Sequence, residues 1–272
     1  MIYFLHHHDR TNQGDVLSGP YNYFDFGRYE KVSWDTSIVG PENVSVSASD
    51  AVIMGGGIYF TANKWKLAKM MKAAGAFIGW GIGLDPRTED KEFVDRFTLL
   101  GTRERKSEYI DNERVFYMPC SSCMNAIFDE TEASGGAVPK AVSARKIAIH
   151  TNASNADTTA LGKRADGEQI VWTKTISTFD ETIANIKSAE CVVTNSYHGA
   201  YWASLFGKKV VCLKTEVPKW DGLHENVVFA SIDEVDDAIA AAKRVPFDYL
   251  VECRTLNRSF YKRVQDLLSL TV

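Results

Sequence analysis

The stretch "CVVTNSYHGAYWASLFG" places a histidine, His198, just after an apolar run and among polar residues. The run "CVVT" predicts a buried strand, which delivers Asn195, Ser196, Tyr197 and His198 onto the turn that leaves it. Gly199 then opens an apolar helix. A histidine beside a helix N-terminus is held toward its neutral form by the partial positive charge there, so it can serve as a general base or donate a hydrogen bond while uncharged. Ser196 and the backbone amides near Gly199 can bind an anionic group. A solitary histidine is more often structural; the polar company of this one at a strand end favours chemistry.

Other loops carry candidate chemistry of their own. "LHHHDRTNQGD" continues an apolar strand into three histidines, whereas a purification tag would precede the fold and be longer. In a strand His6 and His8 share a face and His7 points away, so at most two converge, too few for a metal centre unaided. The same segment feeds Asn12, Gly14 and Asp15 into a strand-to-helix turn, where Asp15 can also cap the next helix. The glycines Gly55, Gly56 and Gly57 of "VIMGGGIYF" let backbone amides approach an anion, or simply let a helix pack closely on a strand. They match neither the dinucleotide-binding glycine pattern nor a P-loop. "GTRERKSEYI" gathers Arg103, Arg105 and Lys106 at a strand end, where a guanidinium can grip phosphate or carboxylate in a bidentate fashion. A solvated helix start with local Arg–Glu pairs is the competing account. Cys120 and Cys123 of "PCSSC" lack a second pair nearby, since Cys191, Cys212 and Cys253 are dispersed, and they read as a packed or loop-lining pair ahead of half a zinc site or a redox pair. "DGLHENVVF" brings His224, Glu225 and Asn226 after the last strand of the second half.

These loops need a scaffold, and the apolar pattern supplies it. Strands are expected at "IYFLHH", "AVIMGGG", "AFIGWGIG", "FTLLGTRE" and "VFYMP", with helices at "NKWKLAKMMKAAG" and "RKSEYID". The polar, non-periodic segment from about Asp129 to Ala144 reads as a linker. The rhythm restarts with strands at "RKIAIHT", "QIVWTKT", "CVVTNS" and "KVVCLK". Helices are expected at "TFDETIANIKSA" (capped by Thr178 or Asp180), "HGAYWASLFG", "SIDEVDDAIAAAKRV" and "LNRSFYKRVQDLLSL". Alternating strands and helices predict parallel sheets covered by helices, in two successive α/β halves. Ligands of such sheets lie beyond the carboxyl ends of the strands, so a cleft between the halves is the expected site.

Composition agrees with this class. The chain has 272 residues, 45% hydrophobic and 24% charged, with a formal net charge of −4 and five cysteines. That balance gives no support to a nucleic-acid coat or an anionic membrane surface, though a local basic patch stays open. "MIYFLHHH" lacks the basic and apolar regions of a signal peptide, and no apolar run approaches a membrane span of about 20 residues. A cytoplasmic protein with reduced thiols is the expectation.

Taken in order, "NQGD", "VIMGGG", "GIG", "RERKS", "PCSSC", "TNSYHGA" and "FGKKVVCL" resemble the motifs N-x-G-D, V-I-x-G-G-G, G-x-G, R-E-x-x-S, P-C-x-S-C, T-[DN]-S-[FY]-H-G and F-x-K-x-V-V of the polysaccharide pyruvyl transferase family, from about Asn12 to Leu213. The resemblance implies a GT-B-like fold of two Rossmann-like domains facing across a cleft. Residues 1–140 would form the acceptor side and 141–252 the donor side, with a C-terminal helix, 253–272, packing back on the first domain. It implies transfer of pyruvate from phosphoenolpyruvate onto a sugar, or a lipid-linked saccharide, as a ketal in polysaccharide biosynthesis, with no cofactor and no metal. By motif, His198 and Asp15 would be catalytic. Arg103, Asn195, Ser196, Tyr197, Gly199, Glu225 and Asn226 would bind the donor. Asn12, Gly14, Gly55, Gly56, Gly57 and His8 would line the cleft.

The chain departs from the family where many members carry an arginine two residues before the motif histidine; here that position is Ser196. The cation for an anionic donor must then come from Arg103, Arg105, Lys174 or Lys214. Two alternatives stand beside this expectation. One is a GT-B-like glycosyltransferase using a nucleotide sugar on a glycan or modified nucleic acid. The other is a catalytically silent sugar- or nucleotide-binding protein.

Overall fold

The computed structural model describes residues 1–6, 13–33, 44–56, 58–59, 64–84, 91–105, 108–111, 113–133, 147–151, 169–173, 178–213 and 220–271. Its strands are β1 (Ile2–His6), β2 (Tyr29–Ser33), β3 (Ala51–Gly55), β4 (Ile58–Tyr59), β5 (Ala76–Leu84), β6 (Leu99–Thr102), β7 (Val115–Tyr117), β8 (Ile147–Thr151), β9 (Gln169–Thr173), β10 (Cys191–Thr194), β11 (Lys209–Leu213) and β12 (Val228–Ala230). Its helices are α1 (Gln13–Val16), α2 (Lys64–Ala73), α3 (Lys91–Val94), α4 (Asp129–Ala133), α5 (Phe179–Ser188), α6 (Tyr197–Leu205), α7 (Val235–Ala241) and α8 (Asp248–Thr271). The chain forms two compact units. One comprises Met1–Met124, Val217–Gly222 and Cys253–Val272; the other comprises Asn125–Glu216 and Leu223–Glu252. The first stretch of the first unit runs to Met124, and the polar segment from about Asp129 to Ala144 falls in the second unit. Asp129–Ala133 of that segment form α4.

In the first unit the sheet runs β2-β1-β3-β5-β6-β7, with β4 on the end of β5, and the pairs are parallel. Its inner strands are continuous apolar runs because both faces are covered. Alternate residues go to opposite faces. Leu5, Val52, Met54 and Phe77 pack with Leu67 and Met70 of α2. Phe4, Ile53, Ile78 and Trp80 pack with Phe260, Val264 and Leu268, which recur four residues apart along α8.

A buried amide ties α8 to the sheet. Asn257 is fully buried and accepts from Trp80 Nε1 at 2.8 Å; its Nδ2 donates to Cys253 O at 3.0 Å and Pro119 O at 3.2 Å. The same Nδ2 lies 3.5 Å from Cys123 Sγ, and Arg254 Nε donates to Cys123 O at 2.9 Å. Cys120 and Cys123 are buried, and "PCSSC" is thus a clamped, packed loop.

In the second unit the sheet is β12-β11-β10-β8-β9, again parallel. α5 begins with a capping box: Thr178 Oγ1 accepts from Glu181 N at 3.2 Å, and Glu181 Oε2 accepts from Thr178 N at 2.8 Å. α6 is buried along its whole length and packs on β10 and β11. No helix among the described residues is long and apolar enough to cross a membrane.

Two sequence expectations change. "RKSEYID" is not helical where described: Glu108 and Tyr109 lie in a turn. Asp111 accepts from Glu113 N, Arg114 N and Val115 N at 3.0, 2.8 and 2.8 Å, a local network that competes with helix. "DGLHENVVF" does not follow the last strand, because β12 begins at Val228 and the segment leads into it.

β5 and β6 are joined at their carboxyl ends by Glu104. This buried carboxylate accepts from Leu84 N at 3.1 Å and from the Thr102 hydroxyl. Burial pushes its carboxyl up to about 7, against hydrogen bonds from the Thr102 hydroxyl and the backbone N–H groups of Leu84 and Glu104 and the charge of Arg103, which favour the anion.

Two stability predictions follow from these buried groups. Asn257→Ala removes the acceptor of the buried Trp80 indole N–H and the side-chain donor to Pro119 O and Cys253 O, and should cost about 2–4 kcal/mol in urea unfolding. A loss under about 0.5 kcal/mol would contradict the clamp. A carboxyl whose folded pKa is raised contributes stability below its unfolded pKa and loses it as pH rises through the folded value. The unfolding free energy of the wild type should therefore fall relative to Glu104→Gln between pH 4.5 and about 7, and then stay level. The fall is on the order of 3 kcal/mol. A difference between the two proteins that does not vary with pH would contradict it.

Candidate functional site

Strand order reverses once in each sheet. In the second unit the chain goes from β8 out to β9, then returns to β10 on the other side of β8 and continues to β11 and β12. The gap between the carboxyl ends of β8 and β10 is a topological switch point, the place where open α/β sheets bind ligands. His150 stands at the end of β8 and Thr194, its register partner, at the end of β10.

The turn leaving β10 is a buried polar cluster. Thr194, Asn195, Ser196 and His198 are each at most 5% exposed. Ser196 N donates to Thr194 Oγ1 at 2.9 Å. Ser196 is the N-cap of α6 by position, but its hydroxyl makes no capping bond. His198 is the second residue of α6, where the helix carries partial positive charge. Its ring meets Tyr197 edge-on at 5.3 Å and Trp202, one turn along, at 5.4 Å. Gly199 follows immediately; a Cβ there would fall 2.2 Å from His150 Nδ1 and 2.8 Å from Thr194 Oγ1. Asn195, Ser196, Tyr197, His198 and Gly199 thus lie on the turn and first helical turn that leave β10. The structure adds His150, which the sequence reading missed. Its signal was the one that drew attention to the other histidines: an apolar strand, "IAI", ending in a histidine.

The first unit has its own switch point, between β1 and β3. His6 ends β1 and is fully buried, edge-on to Tyr21 at 5.4 Å. Gly55 ends β3, and a Cβ there would fall 2.5 Å from His6 Nε2. Gly56 has φ +75 and faces Ser18, whose Oγ would meet its Cβ at 2.3 Å. Ser18 Oγ donates to Asp15 O at 2.6 Å, and Ser121 Oγ donates to Ser18 O at 2.7 Å. These two glycines therefore give room to His6 and Ser18. Gly14 is buried in α1; Asp15 is half-buried in the first turn of that helix and is not its cap.

Arg103 follows β6 and is 3% exposed, with its backbone N–H donating to Ile82 O at 2.9 Å. Arg105 is exposed and lies over the Tyr117 ring at 4.2 Å. Glu104, between them, is the second residue that sequence reasoning passed over, although it stands inside "RERKS".

Other candidates fall elsewhere. Asn226 Nδ2 donates to Arg244 O at 2.8 Å, and Arg244 bridges Lys209, the first residue of β11. Asn226 and its exposed neighbour Glu225 therefore lie at the amino end of a sheet whose carboxyl end bears His198. The lysine of "FGKKVVCL", Lys208, is at that end too: its Nζ donates to Lys187 O in the last turn of α5 at 2.8 Å, and burial pulls its pKa down to about 8. His8, Asn12, Gly57, Lys106, Lys174 and Lys214 lie outside the described residues. Among the described residues no cluster of three or more His, Cys, Asp or Glu side chains is disposed to hold a metal ion.

A family model for polysaccharide pyruvyl transferases matches residues 3–216. No curated protein matches the chain in sequence. A functionally uncharacterised protein from Klebsiella pneumoniae subsp. pneumoniae NTUH-K2044 shares the fold: TM-score 0.54 and 14% identity, over 85% of this chain and 92% of that one. The wall teichoic acid polymerase TagF aligns with a TM-score of 0.46 and 10% identity, over 100% of this chain and 88% of that one. The family match spans most of the chain and takes in both switch points, from β1 through β11. The chain belongs to the polysaccharide pyruvyl transferase family.

Proposed function

We propose that the protein transfers pyruvate from phosphoenolpyruvate to a saccharide, closing a ketal across two of its hydroxyls, with His198 as the acid–base residue. The observation that carries this reading is the buried polar turn from Thr194 to Gly199 at the β8/β10 switch point, inside the matched family segment.

In this reaction a proton adds to the enol methylene carbon and the neighbouring carbon becomes oxocarbenium-like. One sugar hydroxyl bonds to that carbon, phosphate leaves with the C–O bond electrons, and the second hydroxyl closes the ring. Two hydroxyl protons are released; one balances the proton taken by the methylene and one leaves with phosphate. The chemistry calls for a proton donor and acceptor and for cations that neutralise carboxylate and phosphate. His198 serves the first need. Asn195, Ser196, Tyr197 and the amide of Gly199 hold the donor at the positive end of α6, and Asp15 takes a proton from the acceptor hydroxyl. With Ser196 where many relatives carry arginine, Arg103, inside the matched family segment, is the proposed cation.

The test is ligand-dependent melting together with turnover. Phosphoenolpyruvate at about 100 times its dissociation constant should raise stability by about 2.7 kcal/mol. His198→Gln, which keeps the ring's approximate volume, should lower turnover about 10²–10⁴-fold while melting near the wild type. Stabilisation by UDP, GDP or CMP sugars and not by phosphoenolpyruvate would replace this reading with sugar transfer. Full activity in His198→Gln would remove the acid–base assignment.

A further inference from the structure

We infer that His150 is a positioning residue for His198: its imidazole occupies the place of a side chain on Gly199 and seats the first turn of α6 against the end of β8. The inference rests on the assignment of His198 as the acid–base residue.

Gly199 lies inside a helix, where glycine is less favourable than alanine by about 1 kcal/mol. The left-handed backbone that usually calls for glycine is found elsewhere, at Gly27, Gly56, Gly81 and Gly207. What Gly199 provides is close approach. A Cβ would lie 2.2 Å from His150 Nδ1, 3.0 Å from His150 Cε1 and 2.8 Å from Thr194 Oγ1. Neither neighbour can retreat at small cost. His150 is 2% exposed at the end of a central strand, and Thr194 Oγ1 is engaged by Ser196 N. The ring of His150 and the hydroxyl of Thr194 thus form a floor on which the helix backbone rests at Gly199, one residue beyond His198.

The first unit repeats the device. There the first strand also ends in a buried histidine, His6, whose Nε2 stands 2.5 Å from where a Cβ on Gly55 would be. In both units a histidine at the end of the first strand fills the space above a glycine from beyond the switch point. In the second unit that glycine adjoins the residue assigned to proton transfer. Misplacing a catalytic group by about 1 Å can cost 10²-fold in rate, so the seat bears on turnover directly.

The pair can be tested by a double-mutant cycle on the full chain: wild type, Gly199→Ala, His150→Ala and the double variant. Each is read by thermal melting, by the NMR titration of the His198 imidazole, and by turnover with phosphoenolpyruvate. Gly199→Ala alone should lower turnover about 10²-fold and move the His198 titration midpoint. With His150→Ala already present, the same substitution still meets the Thr194 hydroxyl but not the ring, so it should lower turnover by less than about tenfold and move the midpoint less than it does in the wild-type background. If Gly199→Ala does not fold, recovery of cooperative melting in the double variant supports the pair. A double variant as defective as Gly199→Ala overturns it. Equal costs in the two backgrounds overturn it, and so does an unmoved His198 titration in a folded Gly199→Ala protein. Melting and titration need no substrate. Failure of wild-type turnover with phosphoenolpyruvate would therefore remove the donor assignment and leave these two readouts to judge the seat.

Discussion

Parallel pairing gathers the carboxyl ends of all strands in a sheet along one edge, and the strands of both sheets here pair in parallel. Loops that leave those ends meet at the switch point, where two crossovers diverge and leave a gap. That constraint explains why residues far apart in sequence come together. His150 and Thr194 are register partners because β8 and β10 are neighbours, and the polar turn that begins at Thr194 opens onto the same edge. The parallel direction also separates residues that look like companions. Asn226 and Lys208 stand at the amino end of the second sheet, and there they serve the scaffold.

Buried polar groups hold this scaffold in one arrangement. Asn257 joins α8, the Trp80 indole and the "PCSSC" loop through hydrogen bonds that a hydrocarbon could not replace. Glu104 joins the ends of β5 and β6 beside Arg103. Lys208 satisfies a carbonyl of α5 that the helix end leaves open. Several family motifs are therefore explained by packing and by backbone satisfaction. "PCSSC", the lysine of "FGKKVVCL" and the glycines at Gly55 and Gly56 belong to that group. The turn "TNSYHG" differs from them, because its buried polar side chains cluster at the switch point.

Much of the fold was legible because inner strands of a parallel sheet must be apolar on both faces. β1, β3, β5, β8, β10 and β11 stand out in sequence as short apolar runs, and Thr178 announced α5. β2 and β12 did not stand out. Both lie at sheet edges, and β12 is three residues long with Phe229 40% exposed. Missing β12 is what placed Glu225 and Asn226 on the wrong side of the sheet. The helix expected at "RKSEYID" gave way to the Asp111 turn, whose hydrogen bonds are not visible in periodicity. The position of His198, in the first turn of the helix after β10, was legible from its immediate neighbours. His150 was not, because the glycine that reveals its role lies 49 positions away and the two meet only once β8 and β10 pair.

The measurement closest to the central claim is the fate of the methylene carbon of phosphoenolpyruvate. Transfer run in deuterium oxide with a panel of hexoses and hexose oligosaccharides should yield a ketal whose methyl group carries one solvent deuterium, with one inorganic phosphate released per ketal. Both are readable by NMR and mass spectrometry. Untouched phosphoenolpyruvate, alongside sugar transfer from a nucleotide sugar to the same acceptors, would contradict the account.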